Sequence, residues 1–189
     1  MKTQPKPKRL LVIVDMVNGF VEAGALADPS IQRIMPKIIE TMKEFLAAKE
    51  PVLAFLDAHQ SDAIEFQTFP VHCLDGTRES ELADALLPYQ DQLILVKKNS
   101  TNGFFAQGFQ EYLKANFPLS KVLITGCCTD ICVLQFALSL KTYCNQNDWP
   151  THVSILKDGV DTFDLPGHDK KTYNDFALSL LAGAGIEII

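Results

Sequence analysis

Six short apolar runs alternate along this chain with stretches of helical periodicity, and that alternation constrains the fold more than any other feature. The runs are Leu10–Asp15, Val52–Leu56, Gln92–Val96, Lys121–Thr125, His152–Leu156 and Ile186–Ile189. Runs so short and so continuously apolar suit strands buried on both faces, which is the condition of parallel strands joined by helical crossovers. Helical patterns fill the gaps: Ile31–Ala48, a short one near Glu79–Leu87, Phe109–Asn116, Ile131–Asn145 and Lys171–Ala182. In the first of these Ile31, Ile34, Ile38, Met42 and Phe45 recur at three- and four-residue steps, making one core-facing stripe. Strand-then-helix order repeated in this way predicts an α/β fold of three layers, α/β/α, around a six-stranded, mostly parallel sheet with right-handed crossovers. The 189 residues fit a single domain spanning 1–189. Sheets of this kind bind ligands beyond the carboxyl ends of their strands, so chemistry is sought there.

Charge and cysteine content narrow the classes of function. A net charge of -6 with scattered lysines argues against a nucleic-acid partner, which needs a basic patch. The opening Met1–Arg9 is basic, but the apolar run behind it is too short for a signal-peptide core or a membrane span, so no membrane partner is expected. Five cysteines, an odd number with Cys127 and Cys128 adjacent, do not read as a disulfide framework, and the cytoplasm is the expected compartment.

Several residues capable of chemistry fall at predicted strand ends. Asp15 closes the first strand, where a carboxylate can serve as a general base or simply cap a turn. Lys97 and Lys98 follow the third; alternation sends them opposite ways, and spacing alone does not say which enters the crevice. Cys132 lies in Gly126-Cys127-Cys128-Thr129-Asp130-Ile131-Cys132-Val133, between the fourth strand and its helix. With Thr129 or Asp130 as cap it would occupy the first turn, where a helix N-terminus lowers a thiol pKa and backbone N–H groups can hold an oxyanion. The segment Asp57–Arg78 is too long for an ordinary connection, which points to function. It supplies Asp57, His59, Glu65 and His72, two carboxylates and two imidazoles within sixteen residues. Such nitrogen and oxygen donors suit zinc, or ferrous iron or manganese. His152 and His168 are read as structural.

These segments resemble those of the isochorismatase-like cysteine hydrolases, and most closely the nicotinamidases and pyrazinamidases, over nearly the whole chain. The resemblance implies a triad of Asp15, Lys98, six residues before Phe104, and Cys132 in the Thr-Asp-x-Cys-Val motif. It also implies a metal site at Asp57, His59, Glu65 and His72, and a cis peptide joining Cys127 to Cys128. Glu65 stands where many members have histidine, Phe69 where tryptophan is usual, and Val17 and Gly19 where glutamine and aspartate are common.

The implied activity is conversion of nicotinamide to nicotinate and ammonia through a thioester, a step of NAD salvage. Asp15 would take the thiol proton, Lys98 would stabilise and orient both partners, and the N–H groups of Cys128 and Cys132 would bind the oxyanion. Phe20 and Phe69 could stack on the ring of a small-molecule amide held by a divalent metal ion, zinc first. Homo-oligomers are common among such relatives. Two other classes stand beside this one: a same-fold cysteine hydrolase of another amide, ureido or carbamoyl substrate, and a non-catalytic binding protein, which would leave the coincidence of Asp15, Lys98 and Cys132 unexplained.

Overall fold

The computed structural model describes residues 8–189; most of the basic opening segment, residues 1–7, lies outside the described residues. Six strands form one sheet: β1 (Arg9–Val14), β2 (Val52–Asp57), β3 (Ile94–Lys98), β4 (Lys121–Cys127), β5 (His152–Asp161) and β6 (Glu187–Ile188). Their order is β3-β2-β1-β4-β5-β6. All five pairings are parallel, so the sheet is parallel throughout rather than mostly so. The helices are α1 (Asn18–Val21), α2 (Met35–Ala47), α3 (Gln107–Asn116), α4 (Leu134–Gln146) and α5 (Lys170–Gly183). Among the described residues no helix is long and apolar enough to cross a membrane.

Strand alternation builds the layers. Leu10, Val12 and Val14 of β1 face one core with Phe109 of α3, Phe136 of α4 and Leu181 of α5. Leu11 and Ile13 face the other, with Ile38, Met42 and Phe45 of α2. In the first core the rings of Phe55, Phe109 and Phe136 lie 5.0–5.6 Å apart. Tilted and edge-on aromatic pairs of this kind add about 0.5–1.5 kcal/mol each beyond their burial.

The elements depart from the sequence pattern in four places. The stripe beginning at Ile31 is a 3-10 turn over Pro29–Ile34 before α2 starts at Met35, with Pro36 in the first helical turn, where a missing N–H costs nothing. No helix forms at Glu79–Leu87; 3-10 turns occupy Arg78–Ser80 and Leu87–Gln92, and Pro88 opens the second. Leu82, Ala83 and Leu86 are still buried, because Val17 and Leu82 pair as a lone antiparallel bridge that anchors the segment. β3 starts two residues later than its pattern suggests and ends on Lys98 itself. β5 runs past its apolar stretch to Asp161, through a register shift against β4 near Gly126.

The strand order changes direction between β1 and β4, the topological switch point where a crevice opens in such sheets. Asp15, Asp57 and the Cys127–Cys128 step stand at the carboxyl ends of the central strands β1, β2 and β4, and Lys98 at that of the edge strand β3 beside them.

Candidate active site

Asp15 follows β1 with φ 50, a left-handed conformation, and its side chain is fully buried. Lys98 ends β3 opposite Asp57 of β2. Its Nζ lies 2.9 Å from Asp15 Oδ2 and 2.5 Å from Asp57 Oδ1. Alternation separates the neighbouring lysines as expected: Lys98 is 3% exposed, whereas the Lys97 side chain is 61% exposed and pairs with Asp75 at 2.6 Å.

Burial works against the charge on Lys98, but the pull of Asp15, Cys132 and Asp57 outweighs it and holds the ammonium well above its usual range. Asp15 goes the other way for a carboxylate: loss of solvent, with Asp57 adding repulsion, overcomes the help of Lys98 and pushes it up to about 7. Asp57 is also desolvated, yet Lys98 and the two histidines hold it well below the carboxylate range. One buried carboxylate is therefore firmly ionised and its neighbour is poised to exchange a proton near neutrality.

Cys132 sits in a π-helical turn, Thr129–Val133, that feeds α4. Neither Thr129 nor Asp130 caps it: Cys128 holds the N-cap position without a side-chain bond, and Asp130 instead meets His168. The peptide joining Cys127 to Cys128 is cis. Burial pushes the Cys132 thiol well up, with Lys98 pulling against it. The expected lowering by a helix N-terminus does not prevail, because desolvation of a thiolate is the larger effect here. A thiol in this state needs a base, and Asp15 is the buried carboxylate whose charge bears on it most directly.

The long Asp57–Arg78 connection is ordered around three donors. Ligand atoms of Asp57, His59 and His72 all lie within 4.8 Å of one another. Both Nε2 atoms approach the same carboxylate oxygen, Asp57 Oδ2, at 2.9 Å for His59 and 3.1 Å for His72. His72 Nδ1 faces the Pro70 carbonyl at 2.8 Å, which fixes the ring. Glu65 stands at the edge of this set: Oε2 is 3.7 Å from His59 Nε2, while Oε1 accepts from the backbone and hydroxyl of Thr101 at 2.7 and 2.9 Å. Two imidazole nitrogens and a carboxylate converging on one point, with a second carboxylate alongside, fit a divalent cation.

A cavity of about 540 Å³ opens onto both groups of residues. Asp57, Glu65, His72, Cys128 and Cys132 line it, as do the expected ring partners Phe20 and Phe69. Asp57 joins the two halves, one oxygen toward Lys98 and the other toward the histidines. Sequence reasoning missed Thr101, Ile131 and Phe163, which also line the cavity. Thr101 follows the lysines closely enough to have been found; Phe163 was hidden because β5 outruns its apolar stretch.

A family model described as the isochorismatase domain matches residues 9–179. Nicotinamidase 1 of Arabidopsis thaliana is 35% identical over 178 residues, spanning 85% of this chain and 72% of that protein. The crystal structure of pyrazinamidase of Pyrococcus horikoshii in complex with zinc matches with a TM-score of 0.78 at 26% identity, covering 97% of this chain and 99% of that one. N-carbamoylsarcosine amidase from Thermoplasma acidophilum shares the fold, with a TM-score of 0.78, 24% identity and coverage of 96% and 95%.

Proposed function

Because the chain belongs to the isochorismatase family, we propose that it is a cysteine amidohydrolase of the nicotinamidase type, turning nicotinamide into nicotinate and ammonia. The observation that carries this reading is a cavity lined by the buried Cys132 thiol, Asp57 and His72, with Lys98 held behind it between Asp57 and an Asp15 poised near neutrality, and with His59 completing a two-histidine, one-aspartate donor set.

Asp15 takes the proton of Cys132 as its sulfur attacks the amide carbonyl carbon, and Lys98 offsets the charge while holding both carboxylates in place. The N–H groups of Cys128 and Cys132 receive the oxyanion. Collapse breaks the carbon–nitrogen bond, Asp15 returns the proton to nitrogen, and ammonia leaves a thioester. Asp15 then takes a proton from water as its oxygen attacks the thioester; the carbon–sulfur bond breaks, the thiol regains that proton, and the carboxylate product departs. Phe20 and Phe69 flank the ring. Asp57, His59 and His72, with Glu65 beside them, would hold a divalent cation, zinc by preference or ferrous iron or manganese, which supplies a Lewis-acid anchor for a ring nitrogen. Nicotinate made this way would enter NAD salvage in the cytoplasm.

Ammonia release across nicotinamide, pyrazinamide, ureido and carbamoyl compounds tests the reading. Nicotinamide and pyrazinamide should turn over fastest, and Cys132→Ala should lose several orders of magnitude while Cys144→Ala keeps most of its rate. His59→Ala should lower metal content by elemental analysis and impair turnover, yet leave Cys132 reactive toward iodoacetamide. Release from ureido or carbamoyl compounds alone, or full activity in metal-free protein, would overturn the nicotinamidase assignment in favour of another amide hydrolase of this fold.

A further inference from the structure

His168 is bound more closely than a surface imidazole, and the mechanism makes no use of it. Its ring lies between Phe163, centroids 3.9 Å apart and 15° from parallel, and Tyr173, at 3.7 Å and 27°. Nδ1 is 3.1 Å from the Phe163 carbonyl oxygen and Nε2 is 2.8 Å from Asp130 Oδ2. The backbone is tied as well: the His168 N–H donates to the Leu165 carbonyl at 2.8 Å, Leu165 N–H donates back at 3.2 Å, and Gly167 closes the turn at φ +87.

Asp130 stands two residues before Cys132 in the π-helical turn. That turn gives Ile131 and Cys132 to the cavity and its N-cap gives Cys128, and the segment after β5 gives Phe163, Asp164 and Leu165. The second segment's other polar ties are the bond from Asp164 N–H to Asp28 Oδ2 at 3.0 Å and a long one from Lys170 N–H to Asp164 Oδ1 at 3.3 Å. The His168 ring joins the two cavity-lining segments, hydrogen-bonding to Asp130 of one and Phe163 of the other and stacking on the ring of Phe163.

We propose that His168 is a positioning residue that sets the width of the substrate pocket, holding the Phe163–Leu165 wall against the Asp130 turn so that a flat single-ring aromatic amide reaches Cys132 and bulkier amides do not. Truncating the ring removes two hydrogen bonds and the stacked support of Phe163 together, so the wall gains freedom while Asp15, Lys98 and Cys132 keep their own contacts. Which amide enters rests on the amidohydrolase reading; how wide the pocket opens does not.

The test measures alkylation of Cys132 by iodoacetamide and by N-pyrenylmaleimide, located by fragmentation mass spectrometry, alongside kcat and KM for nicotinamide. In His168→Ala the bulky-to-small rate ratio should rise about ten-fold, with KM up by a similar factor and kcat within about three-fold. His168→Gln, which keeps a donor, should fall between. A folded His168→Ala protein with an unchanged ratio, or with kcat lost and KM constant, overturns the proposal. Should His168→Ala fail to fold, Asp130→Asn keeps the shape and weakens the charge-assisted bond, and it must raise the ratio; no rise there is equally fatal. A raised ratio in a protein that releases no ammonia from nicotinamide would sustain the pocket role and reject the amidohydrolase reading.

Discussion

Lys97 and Lys98 are adjacent in sequence and opposite in consequence. Lys98 separates two buried carboxylates, so Lys98→Ala leaves both without their cation. We expect it to abolish most turnover and to cost about 3–5 kcal/mol of stability, whereas Lys97→Ala, which removes only an exposed pair with Asp75, should cost no more than about 1 kcal/mol. Urea unfolding together with ammonia release checks both halves. The proton on Asp15 gives a second expectation at this scale. Catalysis needs the ionised form, so kcat/KM should rise with pH through about 7, and Asp15→Asn should remove that limb along with most of the rate. The folded state binds this proton more tightly than the unfolded state, whose carboxylate titrates near 3.8. The stability Asp15 contributes is therefore full below that value and is lost as pH rises through about 7, a slope that Asp15→Asn should flatten in unfolding measurements. The opposed lysines could be foreseen from strand alternation; the choice of Lys98 came from resemblance. The state of the Cys132 thiol could not be foreseen, because it is set by how completely Lys98, Asp15 and Asp57 close around it from distant strands.

Between elements, the tightest contact is that of β4 with β1 at Gly126. Its φ of +110 already favours glycine, and a Cβ there would run into the backbone of Val14. Gly126→Ala should therefore be destabilised on the order of 4–5 kcal/mol, the exceptional end of the range for single substitutions, and should show it in thermal unfolding even with the triad intact. Elements with strong periodicity were legible: β1, β2, β4 and the helices α2 to α5 fall close to where their apolar patterns put them. Those that rely on partners were not. Leu82, Ala83 and Leu86 have helical spacing but are buried through a bridge to Val17 and turns around Pro88. The latter part of β5 carries Lys157, Asp158 and Gly159 in an irregular stretch, and pairing of Val160 and Asp161 with β4 extends the strand to its end. Phe163, which lines the cavity just beyond that stretch, has no apolar pattern before it to mark its place.

Taken whole, the molecule places its first strand near the middle of its sheet, which has a consequence for the order in which it can be made. β1 pairs with β2 on one side and with β4, from Lys121 to Gly126, on the other. A nascent chain that has emerged only as far as Asn116 holds β3, β2 and β1 with one long side of β1 bare, an open edge of apolar backbone. Parallel pairing across so many residues is slow to form, and exposed edges are where incomplete chains aggregate. Stalled nascent chains ending at Asn116 should be cut readily in pulse proteolysis, while chains extended through α4 to Gln146 should gain protection at β1. Equal cleavage of the two would mean that β1 is sheltered some other way. Cys132, the proposed nucleophile, lies between those two end points and is synthesised after Asp15 and Lys98, so it arrives with the strand that covers β1, and no shorter chain presents the proposed site whole.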